Sequence, residues 1–177
     1  MPLFAGGGGL SLGLEQAGYR VALAVDSDTQ SQRTHAHNFG GLTLGADLGD
    51  PSKVAEIVGL LKQVDLSLLA GGPPCQPFSR AGRSKIRSLV ASGSRPEQDD
   101  RRQLWQNFLR IALEVRPTAV LLENVPDMAL GDEVSVVRQL VSSLEEAGYD
   151  THVRLVDACS RDVGEGPAHR LPGPQKS

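Results

Sequence analysis

The stretch Gly71-Gly72-Pro73-Pro74-Cys75-Gln76-Pro77-Phe78-Ser79 constrains this chain more than any other. Its prolines fix φ, remove backbone donors and push the residues before them toward extended conformations, so neither a helix nor a central strand can run through it. The glycines ahead of them allow a sharp turn and a close approach to a neighbour. Upstream lies the apolar run Val64-Asp65-Leu66-Ser67-Leu68-Leu69-Ala70, which reads as a buried parallel strand. The stretch is therefore a stiff loop at the carboxyl end of a strand, the edge at which open α/β sheets bind ligands. It holds one thiol in a fixed place. A cysteine that merely filled a core would need no such cradle, and the pattern favours Cys75 as a nucleophile.

A chain of 177 residues, 40% hydrophobic and 22% charged, suits one domain with a sizeable core. No apolar run approaches membrane-spanning length and the start lacks a signal-like segment, so a cytoplasmic location without membrane association is expected. Cys75 and Cys159 stand far apart without a Cys/His pairing, which suggests neither a disulfide framework nor a metal site. The net charge of -3 argues against binding nucleic acid by bulk electrostatics. The charge is uneven, however: Arg80, Arg83, Lys85, Arg87, Arg95, Arg101 and Arg102 outnumber Glu97, Asp99 and Asp100 in one stretch.

Taken in order, Pro2-Leu3-Phe4 reads as an abruptly short strand, Ala5 to Gly9 as a glycine loop, and Ser11 to Ala17 as a helix stopped by Gly18. Strand, glycine loop and helix make an anion- or nucleotide-binding turn. The dinucleotide fingerprint fails, because its third glycine falls on Ser11 or Leu12. The next strand, Arg20 to Val25, ends in Asp26, at about the spacing where a carboxylate meets ribose hydroxyls some 20 residues after the glycine loop. Together these point to a nucleoside-containing cofactor other than NAD.

Residues 27–38 form a helix candidate with almost no apolar face, Leu42 to Leu44 a short strand, and Asp47 sits in the loop beyond. Asp50 caps a helix that has Pro51 at its first position. Residues 80–98 have no periodicity and are long for a connection, as in a lid or a disordered segment. A helix over 101–115 turns Leu104, Trp105, Phe108, Leu109 and Ala112 inward, and a strand over 118–122 runs into Glu123-Asn124-Val125. A helix over 132–147 and a sixth strand over Thr151 to Val156 follow. Leu14-Glu15-Gln16-Ala17-Gly18-Tyr19 and Leu144-Glu145-Glu146-Ala147-Gly148-Tyr149 look like one helix stop used twice. Residues 1–158 are expected to form one cofactor-binding catalytic domain and 159–177 an irregular tail.

Phe4-Ala5-Gly6-Gly7-Gly8-Gly9, the Gly-Gly-Pro-Pro-Cys-Gln-Pro-Phe-Ser loop and Glu123-Asn124-Val125 occur in that order, and the set closely resembles the cytosine-5 DNA methyltransferases. The resemblance covers about residues 3–164. It implies an α/β, Rossmann-like S-adenosylmethionine-dependent fold: a mostly parallel sheet with helices on both faces, incomplete at its carboxyl end. Phe4 would stack on adenine and Gly6 to Gly9 would approach the methionine part, with Ala5, Gly6, Gly7 and Gly9 binding the cofactor. Asp26 would hold the ribose, Asp47 the adenine amino group, and Gly72, Pro74 and Leu104 would line the other sides. Cys75 would add to carbon 6 of a cytosine flipped out of double-stranded DNA, with the Glu123 carboxyl at ring nitrogen 3 and Asn124 orienting it. Ser79, Arg80 and Arg83 would close over the flipped nucleotide. The resemblance fades after Asp162-Val163-Gly164, before the family's target-recognition region, as expected either of one half of a split enzyme whose partner chain supplies that region or of a remnant of a longer protein. A relative acting on transfer RNA and a non-enzymatic cofactor-binding fragment remain open at this point.

Overall fold

The computed structural model describes residues 1–74, 104–125 and 134–156. Five strands, β1 (Pro2–Leu3), β2 (Leu23–Asp26), β3 (Leu42–Gly45), β4 (Leu68–Gly71) and β5 (Ala119–Leu122), alternate with helices α1 (Gly9–Gln16), α2 (Thr29–Asn38), α3 (Pro51–Leu61), α4 (Leu104–Val115) and α5 (Val134–Glu146). All strand pairs are parallel and the order is β3-β2-β1-β4-β5. Parallel neighbours need crossover connections, and here each connection from one strand to the next carries a helix. The expected α/β, Rossmann-like sheet is therefore present.

Local chemistry sets the element ends. The Asp50 carboxylate accepts the Ser52 N–H at 2.8 Å, with Pro51 opening α3 as the sequence indicates. Asp28 caps α2 by accepting the Ser31 N–H at 2.7 Å. The repeated helix stop is one motif in two places. Tyr19 N–H bonds Leu14 O and Tyr149 N–H bonds Leu144 O, both at 3.0 Å, while Gly18 and Gly148 adopt φ of 89° and 92°. At each end that bond is joined by a second one, from Gly18 N–H to Glu15 O or from Gly148 N–H to Glu145 O, both at 2.9 Å, and the pair with a glycine in the left-handed region is the Schellman arrangement.

The main core lies on one face of the sheet. Val54, Ile57, Val58 and Leu61 of α3 and Phe108, Ile111 and Ala112 of α4 pack there on Leu3, Val25 and Leu69. Leu68 and Ala70, which alternate with Leu69, face the other way and meet Leu14 and Val21 beneath α1. Trp105 of α4 packs with Val136 and Leu140 of α5. β4 is buried at every residue, as a strand covered on both faces must be. β5 is not: Ala119 and Leu121 stand in register with Leu68 and Ala70, on the α1 side, and both are exposed.

One expectation is corrected. Thr151 to Val156 is irregular rather than a strand, and Val153, Leu155 and Val156 are exposed. An extended segment becomes a strand only by pairing its backbone groups, and among the described residues the sheet ends at β5. The segment 80–98 and the tail 159–177 lie outside the described residues.

Candidate functional site

The strand order reverses at β1, whose neighbours β2 and β4 lead away in opposite directions. Outside the carboxyl ends of the strands at such a reversal, parallel sheets form a ligand crevice. The loops after β1, β2, β4 and β5 all begin at this edge.

The loop after β1 is tightly built. Phe4 is half-buried and takes φ of 54°, an uncommon conformation for an aromatic residue. Buried Ala5 bonds Val25 O through its N–H at 3.0 Å, and the Gly8 N–H returns to Ala5 O at 3.1 Å. Gly8, at φ 105°, is the N-cap of α1. Any Cβ there would stand 2.1 Å from Phe39 Cε2, so the position admits only glycine. No atom lies within 4 Å of a Cβ built on Gly6 or Gly9, so the loop borders open space beside them. Asp26 clasps this loop: Oδ2 accepts the Gly6 N–H and Oδ1 the Asp28 N–H, each at 2.8 Å. Each carboxylate oxygen keeps further acceptor capacity. The residue that the sequence singles out for ribose thus also fixes the glycine loop.

Asp47 lies beyond β3 with its side chain exposed, held between buried Ala46 and Leu48. Its Oδ1 accepts the Gly49 N–H at 2.8 Å. Asn107 of α4 donates to the Leu48 carbonyl at 2.6 Å and so secures the same loop. The sequence reading missed Asn107, although a polar residue between Leu104 and Ile111 on the inward stripe was the available signal. Leu104 opens α4, half-buried against the main core.

At the other side of the crevice, Glu123 extends the ladder beyond β5 by donating its N–H to Gly71 O at 2.9 Å. Its carboxylate folds back over Gly72: a Cβ there would stand 2.9 Å from Glu123 Oε2. Asn124 donates to the Pro73 carbonyl at 3.0 Å and accepts the Val125 N–H at 2.9 Å. Asn124 therefore anchors the proline loop, a task the sequence does not reveal. Pro74 is exposed. Cys75, Ser79, Arg80 and Arg83 lie outside the described residues.

The sequence reading also missed His35. It is fully buried, with Nε2 2.8 Å from Ser11 Oγ and Nδ1 3.0 Å from Thr43 Oγ1. Its ring stacks on Phe39 at 4.5 Å between centroids. Burial holds its imidazole below the ordinary 6.5, opposed by the charges of Glu15 and Asp26. The signal was the spacing of His35 and Phe39 by one helical turn. Among the described residues no cluster of His, Cys, Asp or Glu could hold a metal ion, and no helix is long and apolar enough to cross a membrane.

A model of the C-5 cytosine-specific DNA methylase family matches residues 1–165. The type II methyltransferase M.XorII of Xanthomonas oryzae pv. oryzae is 32% identical over 166 residues, which is 91% of this chain and 36% of that protein. The type II methyltransferase M.HgiGI of Herpetosiphon aurantiacus is 38% identical over 123 residues, 70% of this chain and 86% of that protein. A crystal structure from E. coli, described as a DNA modification methyltransferase encoded within a prophage, aligns with a TM-score of 0.63 and 31% identity. That alignment covers 82% of this chain and 37% of the other. The chain thus spans little more than a third of M.XorII and of the prophage protein.

Proposed function

Because the chain belongs to the C-5 cytosine-specific DNA methylase family, we propose that it carries the catalytic centre of a DNA cytosine-5 methyltransferase of the restriction-modification type. The observation that carries this reading is the joint made by β4 and β5. Glu123 lies over Gly72, and Asn124 holds the carbonyl of Pro73, two residues before the thiol.

The chemistry requires such a joint. Carbon 5 of cytosine is a poor nucleophile while the ring is aromatic. Addition of the Cys75 thiolate to carbon 6 forms a C–S bond and pushes the former double-bond electrons toward carbon 5 and ring nitrogen 3. A proton delivered from the Glu123 carboxyl to nitrogen 3 offsets the charge, and carbon 5 can then attack an electrophile. Return of the nitrogen 3 proton to Glu123, loss of the carbon 5 proton to a base and cleavage of the C–S bond then restore the ring, the carboxyl and the free thiolate. A free thiol has a pKa of about 8.5, so Cys75 needs local activation. Ser79, Arg80 and Arg83 are suited to the flipped nucleotide and its phosphates.

The crevice suits S-adenosylmethionine in its donor set: open space beside Gly6 and Gly9, spare acceptor capacity on Asp26, and an exposed Asp47 carboxylate. Phe4, Ala5, Gly6, Gly7, Gly9, Asp26, Asp47, Gly72, Pro74 and Leu104 would hold it. When bound, it supplies an electrophilic methyl group.

The test supplies in trans the polypeptide that completes a relative's length, and offers duplex DNA containing 5-fluorocytosine with S-adenosylmethionine. Fluorine blocks the last proton removal, so a covalent protein–DNA adduct should accumulate. Cys75→Ala should abolish it, Cys159→Ala should not, and Glu123→Gln should slow it by about two to four orders of magnitude. An adduct that survives Cys75→Ala refutes the assignment.

A further inference from the structure

His35 and Phe39 take no part in this chemistry, yet both are built against the glycine loop. We propose that they form a latch on α2 that sets the position of residues 4–11 and thereby the loop's grip on S-adenosylmethionine. The latch rests on the cofactor reading above.

The contacts form a continuous path. Phe39 is the C-cap of α2, and its ring fills the volume that any side chain on Gly8 would need. The Gly8 carbonyl accepts the Leu12 N–H at 2.9 Å, so a shift of that ring moves the first turn of α1. His35 stacks on the same ring and reaches Ser11, itself fully buried, inside that turn. Its other nitrogen reaches Thr43 of β3. A neutral imidazole has one donor and one acceptor, and either hydroxyl can serve in either role, so both nitrogens are satisfied without water. A buried polar network of this kind is costly when partly broken and so favours one discrete arrangement. The loop is therefore held at two points: Asp26 ties it at Gly6, and α2 ties it at Gly8 and Ser11. His35 and Phe39 are positioning residues, acting through backbone that faces the crevice.

The test uses the full chain with Phe39→Leu and Ser11→Ala, read by amide hydrogen exchange and by calorimetric titration with S-adenosylhomocysteine. Both variants should speed exchange over residues 5–12 by about fivefold or more while α3 and β4 stay unchanged. Both should weaken S-adenosylhomocysteine binding by about five- to tenfold. Lys53→Ala, on the exposed side of α3, should change neither readout. If Ser11→Ala fails to fold, Thr43→Val cuts the same network at its far end and gives the same readouts. Unchanged loop exchange in the variants overturns the latch. Faster loop exchange with unaltered affinity overturns its role in cofactor grip. A wild-type chain that binds no S-adenosylhomocysteine, while the variants still loosen the loop, overturns the cofactor reading and the latch's part in it, leaving only a loop clamp.

Discussion

At Gly72 the geometry predicts a missing side chain that matters to the proposed chemistry rather than to folding. Its backbone does not need φ in the left-handed region, and what a Cβ would meet is the flexible end of Glu123. Gly72→Ala should therefore leave stability within about 0.5 kcal/mol in a denaturant titration. It should nevertheless slow formation of the fluorocytosine adduct by about tenfold or more, because the carboxyl is pushed off its position. His35 makes a second residue-scale expectation. Its folded pKa is depressed by burial, with Glu15 and Asp26 as the charged groups acting on it. Below the ordinary 6.5 the unfolded chain takes up a proton that the folded chain resists. Stability is thus fully present above that pH and declines as pH falls from it toward the lower folded value. Chemical denaturation between pH 7.5 and 5 should show this slope, and His35→Gln should flatten it.

At the scale of elements, the two Schellman ends offer a matched pair. A Cβ on Gly18 or on Gly148 would meet no atom within 4 Å, so alanine at either would suffer from backbone conformation alone. Gly18→Ala and Gly148→Ala should each cost about 1 kcal/mol, similar to each other, as measured by the denaturation midpoint. These ends were legible in the sequence because their chemistry is local, and so were the cap of α3 and the inward stripe of α4. The legible part of the site was likewise local: the glycine loop, the proline loop and Glu123 are motifs of adjacent residues. What escaped is non-local. α2 has no apolar stripe because its inward contacts are a histidine bridged between hydroxyls of α1 and β3, which hydrophobic periodicity cannot register. Asn124 reads as a neighbour of Glu123, while its bond crosses to Pro73, 51 residues earlier. Thr151 to Val156 has a strand's composition, but pairing decides whether such a run becomes a strand.

For the molecule as a whole, the sheet is unevenly covered. On the α1 side, Leu68 and Ala70 lie under helix while Ala119 and Leu121, one strand over, are exposed. The carboxyl edge is where coverage gives way to loops, and all the site residues described gather there. At the sheet's centre stands its shortest strand. Leu3 pairs with Val25 on one side and with Gly71 on the other, and the Met1 nitrogen donates to Leu68 O across a separation of 67 residues. This arrangement predicts an order of folding events. β2 and β3 can meet across the single crossover that carries α2, whereas β4 can join β1 only by closing a much longer segment onto two waiting residues, a slow and entropically costly step. Leu3→Ala should accordingly slow refolding more than it hastens unfolding, as stopped-flow rates in denaturant would report. On a ribosome, Pro2 and Leu3 would keep one flank unpaired until residue 71 has left the exit tunnel.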